Sequence, residues 1–328
     1  MSGSTTAAGP ERIVGIAIGY MAAKQLFAAS RIGLFTALAD GPLTAAELSE
    51  KTGKPEKITR ILGDAMSSLG LLSRVDGRYE LAADAAEYLG GGGLDLAPFL
   101  TFLDTISYPH WTQFGHTADS GEPGKLEMDE ARWGTFMAGV MTYNRLHAEM
   151  LAGAFDYGPH RKLLDLGGLS SAFALEAMGV NEELHTTFVF DPAFTESVTT
   201  AVAEAGLTDR ATVIGAETPV ARPDGEFDLV MVNHVVHRFD AQQNAEILRN
   251  ARAAAAPGGR LLLLDFFLDD DADQRPIDAL HAGEYLVIDG TVVYPESEVR
   301  EWLTAAGWRV VDKLALPGSP RVLVAEAV

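Results

Sequence analysis

The sequence predicts an α/β protein of two domains, a mostly helical one followed by a doubly wound one built on a seven-stranded sheet. Three observations predict it. The chain has 328 residues, more than the roughly 250 to 300 at which single cores stop growing. Its first 95 residues read as helices closed by a small hairpin, and from Arg161 onward seven short apolar runs alternate with amphipathic stretches, the pattern of strands joined by crossover helices.

Residues 1–10 are small and polar and are expected to fray. Ile13 to Phe27 is an apolar, Ala-rich helix, and Ile32, Leu34, Phe35 and Leu38 continue its apolar face until Gly41-Pro42. Thr44 followed by Glu47 is a capping box opening the next helix. Lys54-Pro55 opens a third, to about Leu69. A strand at Gly70-Leu71-Leu72, the turn Val75-Asp76-Gly77 and a strand at Arg78–Leu81 complete the arrangement. Three helices and a hairpin make a winged helix, usually a DNA reader. Here the third helix sets Glu56 and Asp64 against Lys57 and Arg60, and residues 1–95 hold 9 Lys and Arg against 11 Asp and Glu. Phosphate attraction is therefore weak, and no nucleic-acid partner is expected. The Ile13–Phe27 helix is too apolar around its circumference to stand free, so a homodimer is expected.

After the glycine run Gly90–Gly93, Leu94 to about Phe155 reads as helical, interrupted at Ser120–Gly124. The expected organisation is a winged-helix dimerisation domain over 1–95, a helical bridge over 96–157 and a sheet domain over 158–328. The strands fall at Lys162–Leu166, Thr187–Phe190, Ala211–Ile214, Phe227–Val232, Arg260–Phe266, Trp308–Leu314 and Arg321–Ala325.

Composition narrows the chemistry. There is no cysteine, so disulfides, thiolate nucleophiles and cysteine zinc sites are excluded, and no metal is called for. No window offers the ~18 uninterrupted apolar residues of a membrane span, and the N-terminal stretch lacks the plan of a secretory signal. A cytoplasmic protein with no membrane partner is expected. The net charge of -21 repels nucleic acid.

Several blocks, taken in order, resemble the two-domain S-adenosylmethionine (SAM)-dependent O-methyltransferases of bacterial and plant secondary metabolism. They are GLLSRVDGRYEL at 70–81, LLDLGG at 163–168, FDP at 190–192, FDLVMVNHVVHRFD at 227–240, APGGRLLLLDFFLDDD at 256–271 and EVREWLTAAGW at 298–308. The resemblance implies a Rossmann-like SAM-methyltransferase sheet behind the winged-helix dimerisation domain, SAM as cofactor and a small-molecule substrate.

It also implies roles for single residues. Asp165, Gly167 and Gly168 match the turn that receives SAM, although Leu169 and Ser171 stand where the family has further glycines. Asp191 matches the carboxylate that accepts from the ribose hydroxyls; opening a turn before Pro192 is the other reading. Ala216, with Glu217 beside it, falls where the family has an acid near the adenine, and Asn233 falls where plant members have a lysine. His237 matches the catalytic base, its ordinary pKa near 6.5 suiting proton removal from a phenol; a capping histidine is the alternative. Asp265 matches its acidic partner. Glu284 falls where a methionine often lines the pocket, a carboxylate of equal standing as a solvent-facing residue. Phe102, His110, Trp111, Met137, Met141, Tyr143, Asn144 and His147 lie on the bridging helices where the family builds its acceptor pocket, with His281 on a later helix, although ordinary packing explains most such residues. His234 reads as local packing.

The leading expectation is SAM-dependent methylation of a hydroxyl on a small aromatic or polyketide-like molecule. An enzyme of the same fold that has given up methyl transfer for cyclisation, rearrangement, hydroxylation or decarboxylation is the alternative, with a non-catalytic winged-helix regulator third.

Overall fold

The computed structural model describes residues 9–270 and 274–328, so residues 1–8 of the polar extension and Asp271 of the acidic block lie outside it. Residues before Pro109 join Met128–Thr142 in one compact unit, and Pro109–Glu127 join Tyr143–Val328 in a second. The helical stretch between hairpin and sheet is thus divided between the two.

In the first unit, helix α1 (Glu11–Arg31) leads into the short α2 (Leu34–Ala37), strand β1 (Leu43–Thr44), α3 (Ala45–Thr52) and α4 (Glu56–Ser68). The capping box forms: the Glu47 N–H donates to Thr44 Oγ1 at 3.2 Å and the Thr44 N–H to Glu47 Oε2 at 2.7 Å. Strands β2 (Leu72–Val75) and β3 (Arg78–Leu81) form the hairpin. Leu43–Thr44, of which the sequence marks only Thr44 and only as a helix cap, pairs with β3 to make a third strand. Tyr79 is fully buried and donates to Asp64 at 2.7 Å. A Cβ on Gly63 would lie 2.7 Å from the Tyr79 ring, so α4 crosses the hairpin closely only with glycine there. Both hairpin arginines are paired, Arg74 with Asp64 and Arg78 with Glu47.

Helices α5 (Ala83–Leu89) and α6 (Ala97–Phe102) follow, and a π-helical turn at Leu103–Ser107 runs into α7 (Tyr108–Trp111) and then α8 (Phe114–Ser120). Lys24 of α1 pairs with Asp104 and lies 4.3 Å from the centre of the Tyr108 ring. The long helix α9 spans Glu130–Ala154.

The second unit is built on seven strands: β4 (Lys162–Leu166), β5 (His185–Phe190), β6 (Ala211–Gly215), β7 (Phe227–Asn233), β8 (Ala255–Asp265), β9 (Trp308–Ala315) and β10 (Arg321–Ala327). Their order is β6-β5-β4-β7-β8-β10-β9. The first five run parallel and β10 enters antiparallel between β8 and β9. Helices α10 (Ala172–Val180), α11 (Thr195–Glu204), α12 (Ala241–Ala254), α13 (Pro276–Asp289) and α14 (Glu296–Ala305) connect them.

Both faces are covered, which is why the central strands read as unbroken apolar runs. Leu164, Leu166, Val230 and Val232 pack with Ile247, Leu248, Val299 and Leu303. Leu163, Leu229 and Met231 pack on the other face with Leu151, Phe173, Ala177 and Val198. The strand order reverses at β4, so the carboxyl ends of β4, β5, β7 and β8 open at the crevice where such sheets bind ligands.

Candidate active site

The turn after β4 is shaped by two glycines. Gly167 and Gly168 have φ of +82° and +86°, a left-handed backbone that favours glycine. A Cβ at Gly167 would lie 2.6 Å from Thr218 Cγ2, and one at Gly168 would lie 2.9 Å from the Asn233 carbonyl oxygen. Any side chain would therefore displace the floor of the turn. Leu169 is partly buried, and Ser171 occupies the N-cap position of α10 without a side-chain cap bond.

Among the described residues, Asp165 Oδ2 and Asn233 Nδ2, two buried polar atoms at these strand ends, have no protein partner. Asn233 Oδ1 is used, accepting from the Leu264 N–H at 3.2 Å. Burial holds the Asp165 carboxyl well above the usual range. An unpaired acceptor and an unpaired donor fit a ligand end with both ammonium and carboxylate character, the chemistry of an amino acid, as SAM has.

Asp191 stands at the end of β5, where its Oδ1 accepts from the Ala193 N–H at 2.9 Å and caps the turn Pro192–Phe194. The turn-opening role suggested by Pro192 is therefore real, and it uses one of the two carboxylate oxygens. The Ala216 N–H donates to the Phe190 carbonyl at 2.8 Å. Glu217 is exposed.

His237 and Asp265 meet closely. His237 lies in the short turn Val236–Arg238 after β7, and Asp265 ends β8. His237 Nδ1 is 3.0 Å from each carboxylate oxygen, and the Phe266 N–H donates to Oδ1 at 2.9 Å. Asp265 is fully buried. Burial by itself raises its pKa, but the His237 imidazole and the Phe266 N–H together hold it below the usual carboxylate range. The carboxylate thus fixes the proton on Nδ1 and leaves the Nε2 lone pair to act. The neighbouring Arg238 turns inward, with Nη1 buried and without a hydrogen bond; burial lowers its pKa.

A set of rings surrounds this pair. Tyr285 of α13 stacks on His237 with centroids 4.3 Å apart, and His281, one turn earlier, stacks on Phe266 at 3.8 Å. Tyr143 is parallel to His281 at 6.0 Å and meets His147 edge-on at 4.0 Å. His147 Nδ1 lies 2.9 Å from His234 Nε2. His234, assigned to local packing from sequence, sits in this group with φ of +53°, a strained conformation for a residue with a Cβ. Burial keeps His234 and His281 neutral, lowering each to about 4, and it lowers His147 well below its ordinary value. Glu284 accepts a hydrogen bond from Trp111 Nε1.

Phe266 and Tyr285 escaped the reading of the sequence. The spacing of His281 and Tyr285, four residues apart on one helix face, is the signal that would have found Tyr285. The remaining pocket candidates divide between the units. Asn144 and His110, both buried, belong to the second. Phe102, Met137 and Met141 belong to the first, where Phe102 packs edge-on against Phe136 at 5.5 Å.

Comparison with known proteins gives the family of the chain. An O-methyltransferase domain profile matches residues 110–309 and an O-methyltransferase dimerisation domain profile matches residues 14–91. The chain belongs to the SAM-dependent O-methyltransferase family, and it is a methyltransferase by that membership. It is 30% identical over 96% of its length to the 3-hydroxy-5-methyl-1-naphthoate 3-O-methyltransferase of Streptomyces sahachiroi, covering 94% of that protein. It is 26% identical to the tetracenomycin polyketide synthesis 8-O-methyl transferase of Streptomyces glaucescens, with 97% of each chain covered. Among solved structures, the SAM-dependent methyltransferase SibL superposes with a TM-score of 0.84 at 25% identity, over 97% of this chain and 99% of that one.

Proposed function

We propose that the protein transfers the methyl group of SAM to a hydroxyl of a small aromatic or polyketide-like secondary metabolite, with His237 as general base. The observation that carries this reading is the His237–Asp265 pair, with Nδ1 engaged at 3.0 Å and Nε2 left for a substrate proton. Asp265 orients the ring and stabilises its protonated form. Tyr285 supports the ring from one face.

SAM, when bound, supplies a methyl group already activated on sulfonium. Asp165, Gly167, Gly168 and Asn233 would hold its amino-acid end, Asp191 its ribose, and Ala216 with Glu217 would lie along its adenine. The chain's own contribution is then binding, orientation and proton removal. The two Streptomyces relatives, one a hydroxynaphthoate O-methyltransferase and the other an O-methyl transferase of polyketide synthesis, support an aromatic acceptor.

The apolar face of α1 supports a homodimer: Ile13 and Ile16 are 72% and 77% exposed. This helix is long and apolar enough to cross a membrane by length and composition alone, but its place within the dimerisation domain favours a second copy as its partner. Residues 1–95 then form the dimerisation domain as a winged helix, 96–157 the bridge and 158–328 the transferase domain, in a cytoplasmic enzyme.

A second reading has a specific observation in its favour. Leu169 and Ser171 replace glycines in the cofactor turn, which suits an enzyme that keeps the pocket and has given up methyl transfer. Calorimetric titration with SAM and S-adenosylhomocysteine, followed by mass spectrometry of phenolic acceptors, separates the two. Saturable binding and a gain of one CH2 on the acceptor support methyl transfer; absence of both supports the second reading.

A further inference from the structure

The turn that carries His237 does little to hold itself. It is three residues long, Val236–Arg238. The Arg238 N–H donates to the Val235 carbonyl at 3.0 Å, but the next bond, from the Phe239 N–H to the Val236 carbonyl, stretches to 3.5 Å. The His237 N–H reaches Asp265 Oδ2 only at 3.4 Å. Bonds this long lie beyond the usual range for N–H···O contacts, so the place of the imidazole depends on groups outside the turn.

Asn244 of α12 is the chief of these. Asn244, Ile247, Leu248 and Ala251 form one buried stripe of the helix, the spacing of a face turned to a core, and Asn244 is the polar member of those four, with no exposed surface. Its Nδ2 donates to the Val236 carbonyl at 2.8 Å and to the Phe239 carbonyl at 3.0 Å. These two carbonyls bracket His237 and Arg238. Both amide hydrogens are thereby used, while among the described residues Asn244 Oδ1 has no partner. Turning the amide over would set an oxygen against two carbonyl oxygens, so its orientation is fixed. The helix itself has no need of this side chain, because the Asn244 backbone N–H already donates to the Asp240 carbonyl at 2.9 Å. A buried acceptor is left unpaired, at a cost in stability, and what it secures is the backbone on either side of the base. Tyr294 adds a second donor at the same point, its hydroxyl meeting the Phe239 carbonyl at 2.8 Å.

We propose that Asn244, assisted by Tyr294, is a positioning residue for the base: by clamping the Val236 and Phe239 carbonyls it keeps the His237 ring on Asp265. The proposal deepens the methyltransferase reading and rests on it for the role of His237.

The test reads the ring itself, in the full-length protein. Nitrogen-15 spectra of the imidazoles should show a slowly exchanging Nδ1 proton on His237, assigned by its loss in His237→Ala. They should show another on His281, which donates from Nδ1 to the Ile277 carbonyl at 2.7 Å, outside the clamp. Asn244→Ala should broaden or erase the first and leave the second in place, and Tyr294→Phe should do the same in smaller measure. An unmoved His237 proton in Asn244→Ala, or loss of both protons together, overturns the proposal. Should Asn244→Ala fail to fold, Tyr294→Phe decides, since it removes one hydroxyl and keeps the ring; an unmoved His237 proton there overturns the proposal. Methyl transfer to 1-naphthol supplies a second readout. Asn244→Ala should lower kcat by up to about 10²-fold, the scale of a misplaced catalytic group, with KM changed far less, and should cost nothing further in a His237→Ala background. An equal loss in both backgrounds would mark a general structural role and overturn the proposal. Near-normal kcat in His237→Ala, with the ring proton still lost in Asn244→Ala, would overturn only the reading beneath.

Discussion

His237 and Asp265 face each other across the ends of β7 and β8, with the imidazole Nδ1 3.0 Å from both carboxylate oxygens. The carboxylate accepts the ring proton and the Phe266 N–H together, so the ring is held in one tautomer. Asp265→Asn should keep the fold and lower turnover by about 10–100-fold, the usual cost of losing an orienting partner. Its steady-state kinetics should show the loss in kcat more than in KM. Unchanged kcat would remove Asp265 from the mechanism.

The neutral histidines make stability depend on pH. Burial depresses His147 below the ordinary value near 6.5, and His234 and His281 to about 4, so the unfolded chain binds protons that the folded one refuses. Their contribution is fully present above about pH 6.5 and is lost as pH falls toward 4. For the fully buried His147 the slope reaches about 1.4 kcal/mol per pH unit. Urea midpoints measured from pH 7.5 to pH 5 should fall steadily, and less steeply in His147→Leu. A flat profile in the wild type would contradict the neutral cluster.

The cofactor turn gives a prediction on binding. Leu169 and Ser171 add side chains to a turn whose neighbouring glycines leave no room for a Cβ. Leu169→Gly with Ser171→Gly should tighten SAM binding in calorimetry, whereas Gly167→Ala should weaken it, since the new methyl would press on Thr218. Unchanged affinity in the double variant would show that both side chains point away from the cofactor.

Assembly follows from α1. Ile13, Ile16 and Tyr20 are 72%, 77% and 53% exposed, and burying such a face is worth roughly 25 cal/mol per Å² of apolar surface. Sedimentation should give a dimer of the 35.0 kDa chain, and Ile16→Asp should shift it toward monomer. A wild type that stays monomeric at micromolar concentration would remove the dimer.

Much of this was legible in the sequence, for reasons that differ by element. The central strands of the large sheet were legible because burial on both faces leaves an unbroken apolar run, whereas β6 and β9 are largely exposed. Strand β8 begins at Ala255 instead of Arg260 because Pro257-Gly258-Gly259 reads as a turn, and the pairing with β7 skips from Ala255 to Arg260. Strand β1 is two residues long and has no periodicity to detect. His237 and Asp265 were legible as a pair because the blocks that hold them, 227–240 and 256–271, resemble those of the family. The His147–His234 contact spans 87 residues of sequence and joins a helix to a loop, a relation that no local pattern encodes. Asp191 was legible in both its roles, and the structure shows the capping one.

The most direct test of the account is the rate of methyl transfer from SAM to a phenolic acceptor in the wild type and in His237→Ala. With His237 as base, the variant should lose about 10²–10⁴-fold in kcat with KM changed far less. A His237→Ala enzyme of near-normal kcat would contradict the assignment of His237 as the base.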